Sequence, residues 1–147
     1  EHLTKYYHEG SESAHFVAHF AHGCLGKARE LQENGLYTRK NQQIDGFIYS
    51  SDVTDFIKEV TSDKSKTKEF LDIFHTWMRD AILIKQGIES EKVVHLDRWA
   101  DLQQFSQRFD FAQLLDIQEH IVQVYKILKD NMNCKLPLMI IKEKLNG

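Results

Sequence analysis

Proline is almost missing from this chain of 147 residues, occurring once, at Pro137. Nothing upstream of it interrupts helix formation by removing a backbone donor. Cysteine is also scarce: Cys24 and Cys134 stand far apart, which leaves no disulfide framework and points to a reducing, cytoplasmic setting. Long apolar runs are absent, the longest being four residues at 81–84 and 138–141. A bilayer span needs roughly 20. Neither sign of charge dominates, with 19 Lys+Arg against 22 Asp+Glu, and no basic block advertises nucleic acid or a membrane surface. Glu1 in place of Met, with no basic-then-apolar leader after it, reads as a piece of a longer protein.

What remains is an ordinary globular composition, 28% charged and 41% hydrophobic. A chain of this length can bury roughly 70% of its unfolded surface, enough for one core and a fragment of a second unit. Alternation of period two is nearly absent, so the expected class is all-α, a helical bundle. Phe70, Phe74, Trp77, Ala81 and Ile84 recur at steps of three and four, as do Leu114, Gln118, Ile121, Tyr125 and Leu128. Both sets predict amphipathic helices of about five turns. The second helix also carries Phe111, Leu115, Val122 and Val124 off its stripe, which marks it as the expected central helix.

Start signals sharpen the boundaries. Ser51-Asp52, Asp97 and Asp110 can each accept from free N–H groups, and Gln113 completes a capping-box spacing with Asp110. Pro137 suits a first helical turn. Helices are therefore expected at 52–60, 63–86, 97–107, 110–131 and 137–145, with Val93-Val94-His95-Leu96 a loop. Residues 36–49 are a link or a further helix. The first 35 residues read as short helices at 2–8, 13–21 and 24–33, broken by Gly10, Gly23 and Gly35.

Motifs for chemistry are weak. His15, His19 and His22 share a helical face and could offer imidazoles to zinc, but no zincin glutamate follows His15 and no second ligand cluster appears. Gly26-Lys27 has the end of a phosphate-loop pattern, yet Ala21 and Ala28 occupy the positions that need Gly and Ser or Thr. No nucleophile-base set has a recognisable signature. Neither an enzyme activity nor a cofactor is expected of this chain. Arg79 and Asp80 have no opposite charge three or four residues away, so their partners are tertiary or intersubunit.

Trp77-Met78-Arg79-Asp80-Ala81-Ile82-Leu83, then Lys85-Gln86-Gly87, then Asn131-Met132-Asn133-Cys134-Lys135-Leu136 before a short helix, together resemble the δ′ family of bacterial DNA polymerase III clamp-loader subunits. The likeness is to its C-terminal collar. Upstream, the stretch from Phe16 through His19, Gly23 and Gly26 to Arg29 resembles the end of that family's AAA+ lid. The resemblance implies residues 1–35 as lid and 36–147 as an oligomerisation collar. Its implied partners are the γ/τ and δ subunits and, through the assembled complex, the sliding clamp and primed DNA. Implied interface residues are Trp77, Arg79, Asp80, Asn131, Asn133 and Leu136. ATP-hydrolysing siblings carry an arginine where this chain has Gly26, which favours the non-hydrolysing δ′. Two alternatives stay open: the collar of a γ/τ ATPase, and an unrelated helical adaptor or metal-binding module built on the three histidines.

Overall fold

The computed structural model describes Phe16 and residues 35–146, and these form six α-helices, two 3₁₀ turns and no strand. Helix α1 spans Leu36–Phe47, α2 Thr54–Val60, α3 Lys64–Lys85, α4 Trp99–Arg108, α5 Phe111–Lys129 and α6 Lys135–Asn146. The all-α expectation holds, and the open stretch at 36–49 resolves as a helix. None of these helices is long and apolar enough to cross a membrane. The helices expected at 2–8, 13–21 and 24–33, the His15/His19/His22 face and Gly26 lie, Phe16 excepted, outside the described residues.

Local chemistry sets the helix starts. Asp110 accepts from Gln113 N–H at 2.8 Å while the Gln113 side chain accepts from Asp110 N–H at 2.8 Å, the expected capping box. Asp52 accepts from Thr54 N–H at 3.0 Å before α2, and Asp63 from Ser65 N–H at 3.3 Å before α3. Pro137 sits in the first turn of α6, where its missing N–H has no helical acceptor to lose. Asp97 does not cap α4. It lies in the 3₁₀ turn Leu96–Arg98, and its carboxylate is committed to Lys40 at 2.6 and 2.8 Å.

The central helix is α3 rather than α5. It packs against α1, α2, α4 and α5, and Phe70, Leu71, Ile73, Phe74, Trp77, Met78 and Ala81 are all buried. Such burial around most of a helix requires neighbours on several sides. Helix α5 contributes Leu114, Ile117, Ile121, Val124 and Leu128 to the core, leaving Phe111, Leu115 and Val122 exposed. Phe47, Phe56, Phe70 and Phe74 form an aromatic cluster with ring centroids 5.1–5.9 Å apart. Its tightness depends on Gly46, where a Cβ would stand 2.8 Å from the Phe56 ring.

Two buried lysines tie distant parts of the chain together. Lys142 on α6 donates to the carbonyls of Phe47 and Ile48 at 2.7 and 3.1 Å, satisfying acceptors that α1 leaves open at its C-terminus. Burial lowers its pKa. Lys40, fully buried beneath the Phe16 and Tyr37 rings, is held by Asp97. Burial also lowers the pKa of Lys40, opposed by the adjacent carboxylate.

Candidate subunit interface

Asp80 is fully buried, and its two oxygens accept from the backbone N–H groups of Val94 and His95 at 3.0 and 2.8 Å. The partner of this charge is thus the 93–95 loop, which the carboxylate straps onto α3. Burial pushes the Asp80 carboxyl up to about 6 against the lowering effect of those N–H groups and of Arg79 and Lys40. Within the strap, His95 Nε2 lies 2.8 Å from the Thr76 hydroxyl. That hydroxyl also lies 2.7 Å from the Ile73 carbonyl. Complete burial, reinforced by Lys40 and Arg98, holds the imidazole pKa well below its ordinary value and keeps the ring neutral.

Trp77 is also fully buried, with ring contacts to Tyr49, His95 and Phe105 at 5.5–6.3 Å. It faces the strap and α4. Trp77 and Asp80, which the resemblance implies as interface residues, therefore hold the chain's own core together and present no surface to a neighbour. The reason is the 93–98 segment, which folds over them; no local pattern on α3 signals that cover. Arg79 is half exposed, with its guanidinium 3.6 Å from the Asp80 carboxylate.

The second candidate group closes one helix and starts the next. Asn131 takes the left-handed conformation, φ 58°, its N–H donates to Leu128 O at 3.0 Å, and its side chain accepts from Lys64 Nζ at 3.0 Å. The Asn133 side chain accepts from Lys135 N–H at 2.8 Å, at the start of α6. Both asparagines remain exposed at a cleft of ≈ 290 Å³ that also takes in Thr61, Lys64 and Cys134. Leu136, 68% exposed, projects from the first turn of α6. The structure thus brings Asn131 and Asn133 together at one turn, with Leu136 beside them, and holds Arg79 on a different helix.

Sequence reasoning missed the larger apolar surfaces. Met139 and Ile140 join Leu136 among the exposed residues of α6, while Phe111, Leu115 and Val122 are 40–45% exposed on α5. Their spacing is visible in the sequence, but which side of α5 faces the core is decided by where α3 lies. Among the described residues no group of histidine, cysteine or carboxylate side chains is disposed to hold a metal ion.

Comparison with known proteins gives one family. The description "DNA polymerase III, delta subunit, C terminal" matches residues 35–141. No curated protein and no solved structure matches the chain. The matched residues run from the start of α1 into α6 and so take in the strap, the Asn131/Asn133 turn and both apolar faces. The chain belongs to the family formed by the C-terminal domain of the DNA polymerase III delta subunit, and with it to the clamp-loader subunits.

Proposed function

We propose that this chain is the collar of a δ′-like clamp-loader subunit, preceded in residues 1–35 by the end of an AAA+ lid, and that its work is assembly. The observation that carries the clamp-loader part of this reading is the family match over residues 35–141. The apolar residues left exposed on α5 and α6 support it, since a surface that packs against neighbouring subunits keeps apolar groups at its centre. In this reading the γ/τ and δ subunits are the direct partners, the sliding clamp and primed DNA are reached through the whole complex, and the setting is the cytoplasm. Catalysis belongs to neighbours. Gly26 supports δ′ over the γ/τ ATPase, because a residue without a side-chain charge cannot stabilise phosphate charge.

A second reading, δ in place of δ′, is favoured by the wording of the family itself, which names the delta subunit. Reconstitution separates the two. Purified chain mixed with γ/τ and δ is expected to co-elute as one complex, and no complex should form when δ′ replaces δ in the mixture. The reverse pattern would assign the chain to δ, and failure in both mixtures would overturn assembly as its function. Within the complex Arg79, Asn131, Asn133 and Leu136 remain the candidate contacts. Arg79→Ala should weaken co-assembly while lowering the melting temperature only slightly, because the half-exposed guanidinium is 3.6 Å from the Asp80 carboxylate, whose hydrogen bonds come from the 93–95 loop instead.

A further inference from the structure

Of the residues before position 35 the structure describes Phe16, and its ring is fully buried against the collar. What lies beneath the ring is a charge. The Lys40 ammonium stands 5.0 Å from the Phe16 ring centroid and 5.2 Å from that of Tyr37, and Lys40 is itself fully buried. The His95 ring closes a further side at 5.3 Å from Phe16, and Tyr37 stands edge-on to Phe16 at 6.2 Å. An aromatic face attracts a desolvated ammonium through its quadrupole, which aliphatic cover cannot do. The seat formed by Tyr37, Lys40 and His95 therefore favours a ring.

Two elements build this seat, Tyr37 and Lys40 coming from α1 and His95 from the strap. Each of the polar walls is held by a residue outside the seat. Asp97, in the 3₁₀ turn that continues the strap, fixes Lys40 Nζ at 2.6 and 2.8 Å. Asp80 on α3 fixes His95 by accepting its N–H at 2.8 Å. With the strap lifted from α3, His95 leaves the seat and Asp97 leaves the ammonium, so the seat exists only while the strap is closed. A group that binds only the closed form stabilises that form, and closure strengthens its binding by the same factor.

We propose that Phe16 is a docking key that fastens the chain before residue 35 to the collar, and that seating of its ring and closure of the strap on α3 are one coupled event. Displacing position 16 opens the strap, and opening the strap releases Phe16. Naming the attached part as the end of an AAA+ lid rests on the assembly reading above; in that reading the seat relays a displacement of the lid to the central helix of the collar. The seat and its coupling rest on the geometry around Phe16.

The test uses the full chain by itself, so its readouts do not depend on co-assembly. In the wild type, nuclear Overhauser contacts should join the Phe16 ring to the His95 and Tyr37 rings. Native-state hydrogen exchange then follows the strap at the Val94 and His95 N–H groups. Phe16→Ala should speed exchange at both by about tenfold or more, while the Met132 N–H, bonded to Ile127 O in the distant α5–α6 turn, keeps its rate. Phe16→Leu, apolar but without a ring, should lie between, and a rate equal to wild type would overturn the preference for a ring. In the reverse direction Asp80→Asn, which loosens the strap, should weaken the Phe16–His95 contacts; Phe16→Leu and Asp80→Asn carry the comparison if Phe16→Ala does not fold. Absence of the ring contacts in the wild type would overturn the docking. Equal acceleration at Met132 would make Phe16 one more core side chain, and unchanged exchange at Val94 and His95 would mean that the strap opens with the ring still seated; either result overturns the coupling.

Discussion

The Asp80 carboxylate fixes the position of His95 through the backbone: it accepts from the His95 N–H at 2.8 Å and from the preceding Val94 N–H at 3.0 Å. The His95 ring is thereby set against Trp77 at 5.5 Å and Phe16 at 5.3 Å. An aspartate on the central helix thus acts as the anchor of a loop that has no strand partner to satisfy its backbone. Asp80→Ala leaves two buried N–H groups without acceptors and should destabilise by about 2–5 kcal/mol, whereas Asp80→Asn keeps one acceptor and should lose about half as much. Urea unfolding of the three proteins measures this. Equal stability of Asp80→Ala and wild type would mean that the strap does not depend on the carboxylate.

The same pair predicts opposing responses to acid. Asp80 titrates at about 6 in the folded chain against an ordinary 3.8, so between these values the folded state holds a proton that the unfolded chain has released. Its contribution to stability is fully present below about pH 4 and is lost as pH rises through about 6. His95 has the opposite sign. Its folded pKa lies well below 6.5, so the unfolded chain takes up a proton that the buried ring refuses, and stability falls on acidification below that value. Relative to wild type, His95→Gln should gain stability between pH 6.5 and 4, and Asp80→Asn should lose it. Each group sets a slope of at most about 1.4 kcal/mol per pH unit. Parallel stability curves for all three proteins from pH 4 to 7 would contradict the assignment.

Lys40 and Asp97 form a buried ion pair at 2.6 Å, and Asn41 also donates to Asp97 at 3.1 Å. Removing one charge strands the other in a place where water cannot reach it. Lys40→Met should therefore cost about 3–5 kcal/mol, while the double change Lys40→Met with Asp97→Asn should recover much of that loss. Additive losses in the double variant would show that the two charges are not coupled.

Lys40 and Asp97 also mark where the sequence stops being informative. The core stripe of α3, the capping box of α5 and the placing of Pro137 are local, each carried by residues within a turn or two of one another, and the structure keeps all of them. Asp97 has the local pattern of a cap, yet its partner Lys40 is 57 residues away, and proximity of that kind leaves no trace in spacing. The sequence does show that Asp80 lacks a helical partner. Backbone N–H groups carry no sequence signature, however, so a loop anchor and a contact with a neighbour look alike at that position. On α5 two apolar stripes are visible, and only the position of α3 decides that Leu114, Ile117 and Ile121 face inward while Leu115 and Val122 face out. Asn131 and Asn133 are legible as turn residues because their chemistry is again local.

Gly46 offers a test in which one substitution changes sign with its surroundings. It lies within α1, where exchanging glycine for alanine ordinarily stabilises by about 1 kcal/mol through helix propensity. Here the added Cβ would meet the Phe56 ring at 2.8 Å, and that ring is wedged against Phe47 and Phe70 at 5.9 and 5.3 Å. Overpacking of this kind costs about 1–3 kcal/mol, so Gly46→Ala should be neutral to destabilising by about 2 kcal/mol. Phe56→Ala removes the ring, and in that background the clash disappears while the propensity gain remains. Gly46→Ala should then stabilise by about 1 kcal/mol, although the starting protein is weaker for its lost aromatic packing. A double-mutant cycle by thermal or urea unfolding reads the reversal directly, and an effect of the same sign in both backgrounds would show that the close approach of Gly46 to Phe56 does not limit packing between α1 and α2.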